Sequence, residues 1–103
     1  VSEDVRDNPE RSRYELQLDG RPAGFAAYRR RGDVLDFTHT EVDEDVEGRG
    51  LGSILIRAAL EDTRRQGLKV LPHCPFVRAF IEKHDEFAEL VPADRRAEFD
   101  LPA

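Results

Sequence analysis

The order of apolar and polar side chains changes period along the chain, and each change marks an element. Over residues 14–18, Tyr14, Leu16 and Leu18 alternate with Glu15 and Gln17, the period-2 signature of a strand with one buried face. Asp19-Gly20 supplies a hairpin turn, residues 24–28 read as the returning strand, and Arg31-Gly32-Asp33 turns the chain into a third strand over 34–42. The first half is thus an antiparallel meander. In its third strand, strict alternation places Leu35, Phe37, His39 and Glu41 on one face and Val34, Asp36, Thr38, Thr40 and Val42 on the other.

After Glu47-Gly48-Arg49-Gly50-Leu51-Gly52 the period becomes helical. Apolar residues at 51, 54, 55, 58 and 59 form a stripe along a helix expected to reach about Gln66 and to stop at Gly67. Its other side carries Arg57, Glu61, Arg64 and Arg65, with Glu61 and Arg65 spaced for an i,i+4 pair. A short apolar run over 68–71 follows at once, which implies a strand paired in parallel with the third one through a crossover. Pro72 ends its ladder, and Cys74-Pro75 opens a second helix with Pro at N1 and apolar positions Phe76, Val77, Phe80 and Ile81. Residues 1–12 are polar, contain Asn8-Pro9 and show no period, so a flexible N-terminal arm is expected ahead of one domain over 13–103. The predicted fold class is α/β, of the α+β type: an antiparallel meander, then a parallel-paired strand, with helices packed on the sheet.

A chain of 103 residues suits a single core. With 39% hydrophobic and 37% charged residues and a net charge of −6, that core must be compact and the surface densely charged. The acidic balance argues against nucleic acid, which is bound by clustered Lys and Arg. The clearest such run, Arg29-Arg30-Arg31, precedes a Gly-Asp pair and reads as a solvated hairpin tip. The longest mainly apolar stretch, 51–60, is interrupted by Arg57 and is half the ~20 residues that span a bilayer, so no membrane is expected. Cys74 is the only cysteine, and an unpaired thiol together with an acidic N-terminus lacking signal-peptide features suits a cytoplasmic protein. Three scattered His and one Cys offer no metal-ligand spacing, so no metal is expected.

The chemistry concentrates between the third strand and the first helix. A strand running into a glycine-rich turn that opens a helix leaves backbone N–H groups of the first turn unpaired, with the positive end of the macrodipole behind them. Such a place suits a phosphate or pyrophosphate, and glycines at 48, 50 and 52 let it approach the backbone, with Arg49 as a charged contact. A P-loop requires Lys before Ser or Thr, whereas Ser53 follows Gly52 directly. A dinucleotide fingerprint belongs to the first strand of a βαβ unit, whereas here a meander comes first.

The segments His39-Thr40-Glu41-Val42, Glu47-Gly48-Arg49-Gly50-Leu51-Gly52, Leu71-Pro72-His73-Cys74-Pro75-Phe76 and Phe80-Ile81-Glu82-Lys83-His84 together resemble the GCN5-related N-acetyltransferases, in particular their small YjdJ-like branch. The resemblance covers most of residues 13–91. Gly50 and Gly52 match the two small positions of the family's (Gln/Arg)-x-x-Gly-x-(Gly/Ala) loop, while Glu47 stands where Gln or Arg is usual. It implies acetyl-CoA as co-substrate, held by Val42, Glu47, Gly48, Arg49, Gly50, Leu51, Gly52 and Ser53, and an amine acceptor in a protein, peptide or small molecule. Members of ordinary length add two helices before the third strand and a strand pair after the last helix, for which this chain has no room. The family's Asn and the Tyr that protonates departing CoA fall here on Cys74 and Ile81, so the usual general acid is missing.

Two routes follow. In direct transfer Glu41, with His39 second, takes the proton of the acceptor amine. In the other route Cys74, at a helix N-terminus and adjacent to His73, forms an acetyl-thioester; the small branch has a cysteine at the corresponding position as a proposed catalytic residue. Cys74 also reads as a small buried core residue, and His39 with Glu41 as a structural pair. The rival to an enzyme is a non-catalytic CoA-binding or partner-binding module on the same fold.

Overall fold

Five strands form one sheet in the order β1-β2-β3-β4-β5. They are β1 (Glu3–Asn8), β2 (Arg13–Leu18), β3 (Arg21–Arg31), β4 (Val34–Val42) and β5 (Lys69–Pro72), with helix α1 (Leu51–Arg65) before β5 and α2 (Pro75–Lys83) after it. The computed structural model describes residues 3–43 and 50–101. Neighbours from β1 to β4 are antiparallel, and β4 and β5 are parallel, as the alternation and the crossover require. Asp19 and Gly20 both have positive φ, 52° and 81°, which matches the twist of a tight β2–β3 hairpin.

Residues 3–8, expected to lie in a flexible arm, are a strand of the sheet. Residues 3–8 pair with β2 from Glu3↔Leu18 to Asn8↔Arg13, Val5 packs against the core, and Asp7 accepts a hydrogen bond from the Tyr28 hydroxyl at 2.6 Å. A short edge strand gains from charged side chains, which discourage pairing with other chains, and those charges hide its period.

The core lies on the sheet face covered by α1. Tyr14, Tyr28 and Phe37 cluster there, with ring centroids 5.6 to 6.2 Å apart. From α1 come Leu51, Leu55, Ile56, Ala59, Leu60 and Thr63. The buried stripe is therefore turned from the one expected, and Ile54 is left 37% exposed. Besides the sheet, α1 packs against α2. Two 3-10 helices, Asp85–Leu90 and Ala93–Phe99, finish the core with Phe87, Leu90 and Phe99, beside Val91 and Leu101.

Asp62 ties α1 to the sheet. It accepts hydrogen bonds from the Tyr14 hydroxyl at 2.7 Å and Gln66 Nε2 at 2.6 Å, and from Arg65, which pairs with it instead of with Glu61. Burial pushes the Asp62 carboxyl up, but the hydrogen bonds from Tyr14, Arg65 and Gln66 outweigh it and hold the carboxyl below the usual range. A carboxylate depressed in the folded state stabilises above its unfolded value of about 3.9, and that share is lost as pH falls through the lower folded value. Thermal melts between pH 7 and pH 2 are expected to show this loss, and Asp62→Asn to shrink it while lowering the midpoint at pH 7.

The most consequential departure from strict alternation is in β4. Ala27 pairs with His39 but Tyr28 pairs with Phe37, so Thr38 is an extra residue, a β-bulge. Beyond it the two faces exchange. Leu35 and Phe37 are followed on the core side by Thr40 and Val42, whereas His39 and Glu41 turn to the outer face. The bulged strand is held tightly against β3. A Cβ on Gly24 would lie 2.6 Å from Glu41 O and 3.1 Å from Val42 Cα, both backbone atoms. Gly24→Ala is therefore expected to wedge β3 from β4 at a cost of about 1–3 kcal/mol, read by urea denaturation.

Candidate functional site

β5 pairs with β4 only from Val34↔Lys69 to Phe37↔Pro72. Pro72 has no N–H to extend the ladder, and the Cys74 N–H closes the junction on Phe37 O at 2.8 Å. Past that point the chain leaves the sheet for α2. The C-terminal half of β4, the start of α1 and the start of α2 then enclose a groove of about 330 Å³, lined by Thr40, Val42, Gly50, Gly52, Ser53 and Phe76.

One end of the groove is the N-terminus of α1. Gly50 is its N-cap in the left-handed region, φ 71° and ψ 16°, with no side-chain cap and no acidic residue in the first turn. The first intrahelical bond runs from Ile54 N to Gly50 O, so the N–H groups of Leu51, Gly52 and Ser53 precede the ladder and have no acceptor within the helix. Three donors and the dipole's positive end suit an anion of the pyrophosphate kind. Glu47, Gly48 and Arg49, also expected at this loop, lie outside the described residues.

The two glycines serve different ends. A Cβ on Gly50 would meet open space, so its φ is what favours glycine there. A Cβ on Gly52 would lie 2.6 Å from Phe76 Cζ. At Gly52 the close approach is that of the Phe76 ring. Phe76, one of the apolar positions of the second helix, is 44% exposed.

The candidate catalytic residues fall on two sides of β4. Cys74, the N-cap of α2, is 3% exposed, and its Sγ lies 3.3 Å from Thr40 Oγ1 beside the groove. His73 does not turn to Cys74. Its Nδ1 is 2.6 Å from Asp36 Oδ1, its Nε2 is 3.6 Å from Glu98 Oε2, and its ring packs edge-on against Phe99. His39 Nε2 and Glu41 Oε2 are 2.9 Å apart and solvent-exposed. Glu41 lines a larger cleft of about 580 Å³ on the outer face with Glu15, Phe25 and Asp43, where the Arg13 guanidinium sits 4.6 Å over the Phe25 ring. Among the described residues no group of His, Cys, Asp and Glu could hold a metal ion, and no helix is long and apolar enough to cross a membrane.

The family model described as GCN5-related N-acetyl-transferase matches residues 13–90, from the start of β2 to the end of the first 3-10 helix after α2. The chain belongs to this family. As a GCN5-related protein it also shares its fold with a solved neighbour, a GCN5-like candidate N-acetyltransferase from Staphylococcus aureus whose structure was determined by NMR in solution. The TM-score is 0.65 at 21% identity, over 85% of this chain and 86% of that one. No curated protein matches in sequence. Family membership supports acyl transfer as the general chemistry. Two residues at the groove, Thr40 and Phe76, had no role in the sequence reading. Thr40 was hidden by the bulge and Phe76 by its helical spacing.

Proposed function

We propose that this chain is an acetyl-CoA-dependent N-acyltransferase that moves an acetyl group to an amine of a protein, peptide or small molecule. The observation that carries this reading is the groove, where an open helix N-terminus meets the half of β4 that extends beyond β5, beside a cysteine. Acetyl-CoA, when bound, supplies an acetyl group activated as a thioester. The N–H groups of Leu51, Gly52 and Ser53, with Gly50 leaving space, hold the pyrophosphate, and Val42 and Phe76 form apolar walls for the arm that follows. Backbone N–H groups of β4 beyond Phe37 polarise the thioester carbonyl.

Cys74, as the thiolate, attacks the carbonyl carbon. Its S–C bond forms, the S–C bond to CoA breaks, and CoA leaves as a thiolate. The acceptor amine then attacks the acetyl carbon on Cys74, the N–C bond forms, and Cys74 is released as the thiolate. An acceptor amine arriving from the outer face gives its proton to Glu41, paired there with His39, and solvent carries a proton to the CoA thiolate. A cytoplasmic setting would keep the single cysteine reduced.

The test is release of CoA thiol from acetyl-CoA with a panel of primary amines, including a polyamine and a lysine peptide. Time-dependent release that requires the amine supports the enzyme. Binding of acetyl-CoA without release across the panel supports a CoA-binding module instead.

A further inference from the structure

We infer that Thr40 is the positioning residue for Cys74, an assignment that rests on the acyltransferase reading. Sequence proximity would give that task to His73, but the two nitrogens of that ring face Asp36 and Glu98. Among the described residues, the polar side chain that reaches the sulfur is Thr40, with Oγ1 3.3 Å from Sγ. Thr40 also lines the groove, so one hydroxyl touches both the sulfur and the space where the thioester would lie.

The bulge at Thr38 is what makes this contact. Without the extra residue, alternation would carry position 40 to the outer face with Asp36, and His39 would be the next core-side residue after Phe37. Thr40 is anchored through its register with Ala26 and is stiff at χ1, as β-branched residues are. Cys74 is fixed independently by its N–H bond to Phe37 O. In the thiol state either atom can donate. Once the sulfur is a thiolate, only Thr40 Oγ1–H can, and the bond becomes charge-assisted. The hydroxyl therefore supports the thiolate both when it attacks and when it leaves.

The experiment compares wild type, Thr40→Val and Thr40→Ser. Each is mixed with acetyl-CoA without acceptor, and acetyl uptake on Cys74 is timed by intact-protein mass spectrometry. Alkylation by iodoacetamide, which needs no cofactor and has one cysteine to report on, runs in parallel. Circular dichroism and acetyl-CoA calorimetry check fold and affinity. Thr40→Val is expected to keep acetyl-CoA affinity but to slow both acetylation and alkylation by about tenfold or more, the size of a lost bond to a charged group. Thr40→Ser is expected to restore most of both rates. Valine matching wild type in both, or alkylating faster because it merely opens the site, would overturn the assignment. Wild type that alkylates but takes up no acetyl group while binding acetyl-CoA would overturn the cysteine route itself.

Discussion

Gly50→Glu is expected to weaken acetyl-CoA binding by about a hundredfold or more, two decades at about 1.4 kcal/mol each, while the chain stays folded. Gly50 is the N-cap of α1, and a side chain there projects into open space beside the N–H groups of the first turn. A carboxylate at that point both occupies those donors and repels a pyrophosphate. The left-handed φ of 71° adds a folding cost of about 1–2 kcal/mol for a residue with a Cβ. That is a modest share of the 5–15 kcal/mol typical of a folded domain. Gly50→Asn separates the two effects, because Asn tolerates the left-handed region and carries no charge. It is expected to melt close to wild type and to bind within a few-fold. Calorimetry on both variants reads the result, and a glutamate variant that binds like wild type would place the anion elsewhere.

Cys74→Ala is expected to leave acetyl-CoA affinity intact and to lower transfer to amines by about a hundredfold or more, with no acetyl group appearing on the protein. The sulfur is covered, 3% exposed, and its loss leaves the Thr40 hydroxyl without that partner, a stability change of about 1 kcal/mol. Glu41→Gln separates the two steps. It keeps the burst of acetyl uptake on Cys74, which needs no amine, but slows release to the amine, whose proton Glu41 takes on the outer face of β4. Rapid-quench sampling of the acetylated protein measures both. A Cys74→Ala variant with the wild-type rate would show that the amine attacks the thioester directly.

Where the local pattern was unopposed, the chain could be read from its residues. Val34 to Val42 begins and ends where the alternation and its flanking turns put it, and α1 ends at Gly67 because only a residue at ease with φ 74° closes that helix. The glycine-rich opening of α1 was legible for the same reason: glycines at the mouth of a helix cost stability unless the backbone conformation or a close neighbour requires them. What escaped was set by contacts distant in sequence. β1 shows no period because Val5 is its one apolar residue packed on the core and the rest are polar, so its pairing with β2 makes it a strand. The bulge left no mark, since Thr38 and Thr40 are the same residue type and either could face the core. That one residue decides whether His39 or Thr40 follows Phe37 on the core side, where Cys74 lies. The position of His73 likewise depended on Asp36 and Glu98, which lie 37 and 25 residues away in the chain.

Calorimetric titration of acetyl-CoA into the wild-type protein tests the central claim most directly, because every step of the proposed chemistry requires the groove at α1 to hold the cofactor. The account predicts a single saturable site whose heat of binding is lost in Gly50→Glu and retained in Gly50→Asn. No binding heat with millimolar acetyl-CoA, from a protein shown to be folded, would contradict it.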